Sequence, residues 1–232
     1  MAQTSIGSAI NNAMHISQHP AQVRLYICNN DESIKVFSLP SLEHITTMNL
    51  RVAVNGLTVS PDGTKMIAVG DTNQAFLYSV QGDQYRLITA LPTVNDAGFS
   101  CAWDANSEKF AVACQDGYVC VWDVRNFNRK MALVESTQRN QKGAVRCVKF
   151  SQSNSMDLLA FSEHVSVVNV VDARTFSSRQ AIRVAPPNTD YHISGLSFSP
   201  DSKDLMVGLE GCLLEFGIDT TSRRSFPVGN II

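Results

Sequence analysis

The sequence lacks the features that mark membrane and secreted proteins. No stretch approaches the roughly 18 consecutive apolar residues of a transmembrane helix, and the amino-terminal segment has no uninterrupted apolar run like that of a signal peptide. There is no Asn-x-Ser/Thr glycosylation sequon. We therefore expect a soluble protein with no membrane partner.

A strong charge of either sign is also missing. The 232 residues carry 19 basic and 21 acidic side chains, for a formal net charge of -2. Proteins that bind nucleic acids usually neutralise phosphates with an excess of Lys and Arg. We interpret the two small basic spots, Lys203 and the pair Arg223 and Arg224, as solvated surface, and we expect no nucleic-acid partner.

Familiar catalytic and metal-binding motifs are absent as well. The chain has no phosphate-binding glycine loop, nucleophile elbow, zinc-protease motif or EF-hand loop. Its six cysteines form no C-x-x-C pair and lie inside apolar stretches, so we interpret them as small buried side chains in a reducing compartment, the cytosol or the nucleus. We therefore predict no catalytic residue, no cofactor and no metal.

The sequence does contain an internal repeat. Segments that begin at Gly56, Gly98 and Gly195 share an apolar alternation, a polar turn, an apolar run, an acidic turn and another alternation. Apolar residues at every second position indicate β-strands, so each segment is predicted to be a meander of short strands.

The period of this repeat can be measured at the residue before the first turn. That residue recurs at Ile16, Val59, Trp103, Phe150 and Phe198, with spacings of 43, 44, 47 and 48 residues. Such a period, with four strands in each unit, is typical of propeller blades. We predict a short lead at residues 1–9 and five units at approximately 10–50, 51–92, 93–136, 137–184 and 185–232.

The third unit is the clearest of the five. Its predicted strands are residues 99–103, 110–114, 118–122 and approximately 130–134. The small and branched residues at 111–114 suit an innermost strand, where blades crowd together. Gly117 is free to adopt positive φ in the tight turn that it forms with Asp116.

The segment QDGYVCVWD at residues 115–123 resembles the ending of a WD repeat. Comparable acidic turns recur in the other units, and the predicted structural turn residues are Asp31, Asp71, Asp116, Trp122, Asp123, Asp172 and Glu210. The Gly-His dipeptide of strict repeats is missing, so their Asp-His-Ser/Thr-Trp hydrogen-bond network is not carried over.

Most of the chain is similar to the carboxy-terminal part of a group of uncharacterised eukaryotic WD-repeat proteins, through segments such as NNDESIKVFSLPSLE and DAGFSCAWDANSEKFAVACQDG. This resemblance implies an all-β fold, a β-propeller of about five four-stranded antiparallel blades. The blades would form either a five-bladed ring or part of a seven-bladed one. Residues 223–232 are expected to supply the last outer strand.

In propellers, the loops between blades gather on one face with the turns between second and third strands, and recognition concentrates there. The candidate residues of this rim are Arg51, Asn55, Asn95, Asp96, Lys142, Arg146, Asp190, Tyr191 and His192. The rim loops at 136–143 and 185–191 are long and polar, so we expect mobile surface segments.

Mixed polar groups with an aromatic suit protein or peptide recognition. We therefore expect a noncatalytic scaffold or adaptor that binds protein partners. One alternative is a propeller enzyme with acids converging on the channel mouth, near His192 at the start of an inner strand. A second, a nucleic-acid-binding propeller, is disfavoured by the charge balance.

Overall fold

The computed structural model describes residues 9–18, 22–138, 140–153 and 156–219. These residues form five antiparallel sheets, four with four strands and one with three, and strands that follow each other in the chain are neighbours in the sheet. Each sheet is called a blade below. None of the described segments is a helix long and apolar enough to cross a bilayer.

The blades follow the chain order. The first contains β1 (Asn11–Gln18), β2 (Val23–Asn29), β3 (Ser33–Leu39) and β4 (His44–Asn49). The second contains β5 (Val54–Val59), β6 (Lys65–Gly70), β7 (Gln74–Gln81) and β8 (Gln84–Pro92). The third contains β9 (Gly98–Trp103), β10 (Lys109–Cys114), β11 (Tyr118–Asp123) and β12 (Ala132–Glu135). The fourth contains β13 (Cys147–Phe150), β14 (Leu158–Ser162), β15 (Val167–Asp172) and β16 (Arg179–Arg183). The fifth contains β17 (Ile193–Phe198), β18 (Asp204–Leu209) and β19 (Cys212–Gly217).

Within the third blade, the four predicted strands are confirmed with small shifts at their ends. A short 3-10 helix, Asn140–Gly143, precedes the fourth blade. The outer strand predicted at residues 223–232 lies outside the described residues. All five sheets fall inside the five units that the repeat spacing predicts.

The prediction of an innermost strand at residues 111–114 is wrong. These residues belong to β10, the second strand of its blade, and β9 is the innermost strand. From Phe110 to Cys114 every residue of β10 is fully buried. The reason is that β10 has a strand on each side and a neighbouring blade on each face, whereas β9 borders the central channel.

Apolar clusters join each blade to the next. Separate clusters of buried side chains lie between blades one and two, two and three, three and four, and four and five. No comparable cluster of described residues joins the fifth blade to the first. Met14 and Ile16, on the side of β1 that faces away from the second blade, are 71% and 61% exposed, and Leu213 in β19 is 68% exposed.

The innermost strands surround a channel of about 400 Å³. Its lining includes His15, Ser100, Lys149 and the ring of Phe99, and no Asp or Glu is found among the described residues that line it. His192 is not in this lining either; it forms an isolated bridge with Val165 just before β17.

The turns between first and second strands link neighbouring blades through serine side chains in left-handed backbone conformation. Ser107, with φ of 60°, accepts a hydrogen bond from the Asp62 amide at 3.0 Å through its Oγ. Ser202, with φ of 58°, accepts from the amides of Gln152 and Ser153 at 2.9 and 3.1 Å. Gly63 holds the same position in the second blade, with φ of 72°.

Candidate protein-binding rim

Four of the predicted acidic residues lie in turns between second and third strands. Asp31, Asp71, Asp116 and Glu210 follow β2, β6, β10 and β18. The Asp31 carboxylate accepts hydrogen bonds from Ser33 and Lys35, which lower its pKa. Asp31 thus contacts its own hairpin, whereas the carboxylates of Asp71 and Asp116 accept hydrogen bonds from the Asn55 side chain and the Asn95 amide, which lie outside their turns.

The sequence comparison placed Asp172 in the turn between the second and third strands of the fourth blade. In the structure it lies at the end of the third strand instead. It is the last residue of β15 and binds the Arg174 guanidinium at 2.9 Å, as Asp123 at the end of β11 binds Arg125 at 2.7 Å. The acid after the second strand of the fourth blade is Glu163, which the sequence analysis missed. Trp122 is fully buried, with its ring stacked on Phe110 at a centroid distance of 5.4 Å.

Glu163 anchors the loop at 136–143. Its side chain is fully buried, and its carboxylate accepts hydrogen bonds from the amides of Thr137 and Gln138 at 2.6 and 3.0 Å and from the Thr137 hydroxyl at 2.6 Å. The Asn169 amide group donates to the same carboxylate at 2.8 Å. The expectation of a mobile segment therefore does not match the fixed backbone contacts of this loop.

The loop at 185–191 is also attached to its surroundings. The Ser166 hydroxyl accepts a hydrogen bond from the Tyr191 amide at 2.9 Å, and the Ser166 amide donates to the Tyr191 carbonyl at 2.9 Å. Lys142 and Asp190 form an ion pair at 2.6 Å that joins the two loops. The ammonium group of Lys142 lowers the pKa of the Asp190 carboxyl.

Arg146 is held in one orientation on the rim. Its guanidinium carbon lies 4.0 Å from the centroid of the Phe99 ring, and its Nε donates to His164 Nδ1 at 3.3 Å. The His164 ring packs edge-on against His192, with centroids 4.9 Å apart. Burial lowers the pKa of His164, and the positive charge of Arg146 acts in the same direction. His164 is thus an acceptor of this hydrogen bond in its neutral form.

Asn95 and Asp96 lie beside the acidic turn of the third blade. The Asn95 amide donates to Asp116 Oδ2 at 2.9 Å, and the Gln115 side chain donates to Asp96 Oδ2 at 3.2 Å. Sequence reasoning missed the contributions of Gln115, Phe99 and His164 to this surface. The position of His164 in the matching turn of the next blade was the signal that could have found it.

Arg51 and Asn55 are separated from the other predicted rim residues, because they precede and begin the second blade. Arg51 is exposed, with φ of 66°. The Asn55 side chain donates to Asp71 Oδ1 at 2.8 Å and to the Gly98 carbonyl at 3.1 Å, so it joins the second blade to the third. Asn55 is therefore engaged in holding the fold, whereas the remaining predicted residues gather near blades three to five.

No group of three or more His, Cys, Asp or Glu side chains in the described residues is arranged to hold a metal ion. All six cysteines are free thiols. Cys28, Cys101, Cys114 and Cys120 are buried, as predicted, but Cys147 is half-buried and Cys212 is exposed. The prediction of burial is wrong for Cys212 because it lies in β19, the edge strand of the described fifth sheet.

Two family models match parts of the chain. Residues 95–123 match the WD domain, G-beta repeat, and residues 143–183 match an uncharacterised protein domain, DUF2415. The first match covers most of the third blade and the second covers the fourth.

Several curated proteins are similar to the chain. The uncharacterised protein C4G3.03 of Schizosaccharomyces pombe is 30% identical over 94% of the chain and 65% of its own length. The uncharacterised protein YLR149C of Saccharomyces cerevisiae is 26% identical over 78% of the chain and 30% of its own length. Actin-interacting protein 1-2 of Arabidopsis thaliana is 27% identical over 73% of the chain and 26% of its own length. The chain thus spans less than two thirds of each of these relatives.

The repeat period, the blades of antiparallel strands and the match to the WD domain agree with one another. The chain thus contains a WD repeat, and its antiparallel blades have the architecture of a WD-repeat β-propeller.

Proposed function

We propose that the chain is a noncatalytic scaffold or adaptor that binds a protein partner on the rim of blades three to five. WD repeats generally mediate interactions between proteins, and the rim offers a specific surface for this purpose. We also propose the cytosol or the nucleus as its compartment, because all six cysteines are unpaired thiols.

The observation that carries this proposal is that exposed polar side chains of the rim are held in fixed positions. The pair Lys142 and Asp190 joins two loops, and Arg146 is held between Phe99 and His164. Tyr191, which is 43% exposed, lies on one of these loops. Arg and Tyr are frequent energetic centres of protein interfaces, and preorganised side chains lose little conformational entropy when a partner binds.

The test is affinity capture with the tagged chain, in which bound proteins are quantified by mass spectrometry. Arg146→Glu and Asp96→Lys are expected to weaken capture of the same partners without lowering the melting temperature. The matched controls are Arg86→Glu on β8 and Glu43→Lys between β3 and β4, which reverse exposed charges away from the rim. An unchanged set of partners for the rim variants would show that the rim is not the binding surface.

A further inference from the structure

A polar pocket of about 520 Å³ opens on the rim between the third and fourth blades. Its two walls carry opposite charge. Asp96 and Asp116 of the third blade form an acidic wall, and Arg146 and His164 beside the fourth blade form a basic wall. The amide side chains of the short 3-10 helix complete the lining.

The acidic wall has unused capacity for hydrogen bonds. Asp116 Oδ2 accepts a hydrogen bond from the Asn95 amide, and Oδ1, which is shielded from solvent, has no hydrogen-bond partner among the described residues. Asp96 Oδ2 accepts a hydrogen bond from the neutral Gln115 side chain, and Asp96 Oδ1 accepts one from the Ala97 amide at 2.8 Å. No Lys, Arg or His of the described residues forms an ion pair with either carboxylate. The negative charge of this wall is therefore not neutralised by any cationic side chain of the described residues.

The basic wall presents a guanidinium group that is already oriented. Phe99 supports its flat face, and His164 occupies its Nε. The two terminal nitrogens of Arg146 donate to none of the described residues, and the side chain is exposed. This geometry leaves free the edge of the guanidinium that can bind both oxygens of one carboxylate.

We propose that this pocket binds a peptide segment of the partner that carries a carboxylate and a nearby cationic side chain. The carboxylate pairs with Arg146, and the cation pairs with Asp116 and Asp96. A ligand with one sign of charge would leave one wall unpaired and would be repelled by it. This inference rests on the proposed function, and it specifies the chemistry of the segment that the rim recognises.

The test uses four peptides with blocked ends and identical Gly-Ser flanks, which contain Glu-Gly-Lys, Gln-Gly-Lys, Glu-Gly-Gln or Gln-Gly-Gln. Each is titrated into the isotope-labelled chain, and binding is followed by NMR through the amides near residues 115–117 and 140–146. The Glu-Gly-Lys peptide should bind most tightly, and each neutral replacement should weaken binding by about tenfold, since each removes one charge-assisted contact.

Two variants assign the contacts to the walls. Arg146→Gln should abolish the preference for Glu over Gln while keeping the preference for Lys. Asp116→Asn, or Asp96→Asn if the first variant disturbs its turn, should do the reverse. Arg86→Gln, which removes an exposed Arg away from the pocket, should retain both preferences.

The inference is wrong if the four peptides bind equally, if none shifts these amides at millimolar concentration, or if Arg146→Gln keeps the preference for Glu. Its failure can be distinguished from failure of the proposed function. Partners lost by the charge-reversal variants, together with peptides that show no charge preference, would contradict the pocket chemistry alone. Partners kept by those variants would contradict the rim function whatever the peptides show.

Discussion

Glu163 shows how one side chain fixes a loop that the sequence marks as polar and variable. Its carboxylate accepts four hydrogen bonds, and three of them come from Thr137 and Gln138, which lie 26 and 25 residues earlier in the chain. An amide at the same place has only one accepting oxygen, so one donor would face another donor.

Glu163→Gln is therefore expected to lower the free energy of unfolding by about 1–3 kcal/mol. Urea denaturation measures the loss, and hydrogen exchange at the amides of Thr137 and Gln138 should accelerate. Glu135→Gln removes the same charge from an exposed position in β12 and should have little effect. Equal stability of the two variants would contradict the anchoring role.

His15 links stability to pH. Burial is the main cause that lowers its pKa to about 4, and the charge of Lys149 adds to the effect, while the Val59 amide donates to its Nε2 at 3.3 Å. In the unfolded chain an ordinary histidine takes up a proton near pH 6.5. As the pH falls below that value, the unfolded state gains a proton that the folded state does not, so stability is lost.

The expected loss between pH 7 and pH 5 is about 2 kcal/mol from this residue. His15→Gln should reduce the slope of unfolding free energy against pH in that window, whereas His44→Gln, an exposed position in β4, should keep it. Urea titrations at a series of pH values measure both slopes. Parallel curves for wild type and His15→Gln would show that another group dominates.

At the scale of the elements, the left-handed serines combine a strained backbone with a hydrogen bond between blades. A side chain at positive φ costs roughly 1 kcal/mol relative to glycine, and the two amides that Ser202 satisfies recover more than this. Gly63, where a Cβ would meet no atom within 4 Å, has the same backbone without that contact.

Ser202→Ala should therefore lower stability by about 1–3 kcal/mol, because it keeps the strain and loses the acceptor for both amides. Ser202→Gly should be more stable than Ser202→Ala by about 0.5–1 kcal/mol, since it removes the strain. Gly63→Ala gives the matched measure of strain alone. Melting temperatures of the three variants test this order, and identical values for both Ser202 variants would contradict it.

The sequence predicted strands well where apolar alternation and tight turns coincide, as in the third blade. The sequence-based prediction misplaced Asp172 because the fourth unit contains extra residues. An aspartate can occupy either of two turns, and its residue type alone does not show which one. The anchoring by Glu163 and the orientation of Arg146 could not be predicted, because both depend on contacts between residues that are distant in sequence. The rim residues were predicted from the repeat spacing together with the general position of loops between propeller blades, and their role in binding stays a prediction.

At the scale of the whole molecule, the first and fifth blades expose apolar side chains. Met14, Ile16 and Leu213 are each more than half exposed, and they lie on faces that no described blade covers. Exposed apolar sheet faces favour association.

The chain is therefore expected to self-associate as its concentration rises, which sedimentation velocity measures. The combined change Met14→Ser and Ile16→Thr should reduce association. Leu87→Ser, at a position in β8 that is 54% exposed, is the control and should not. A concentration-independent monomer for the unaltered chain would contradict this prediction.

Because the blades pack one after another, the position of a blade determines how easily it unfolds locally, and this applies to the blades that form the rim pocket. In a linear array each repeat is stabilised by its neighbours, and a terminal repeat has only one neighbour to lose. Local opening should therefore begin in the blades with an uncovered face and move inward. The acidic wall belongs to the third blade, which has two described blades before it and two after it. The basic wall lies beside the fourth blade. The proposed pocket thus lies between two blades that each pack against a described blade on both faces.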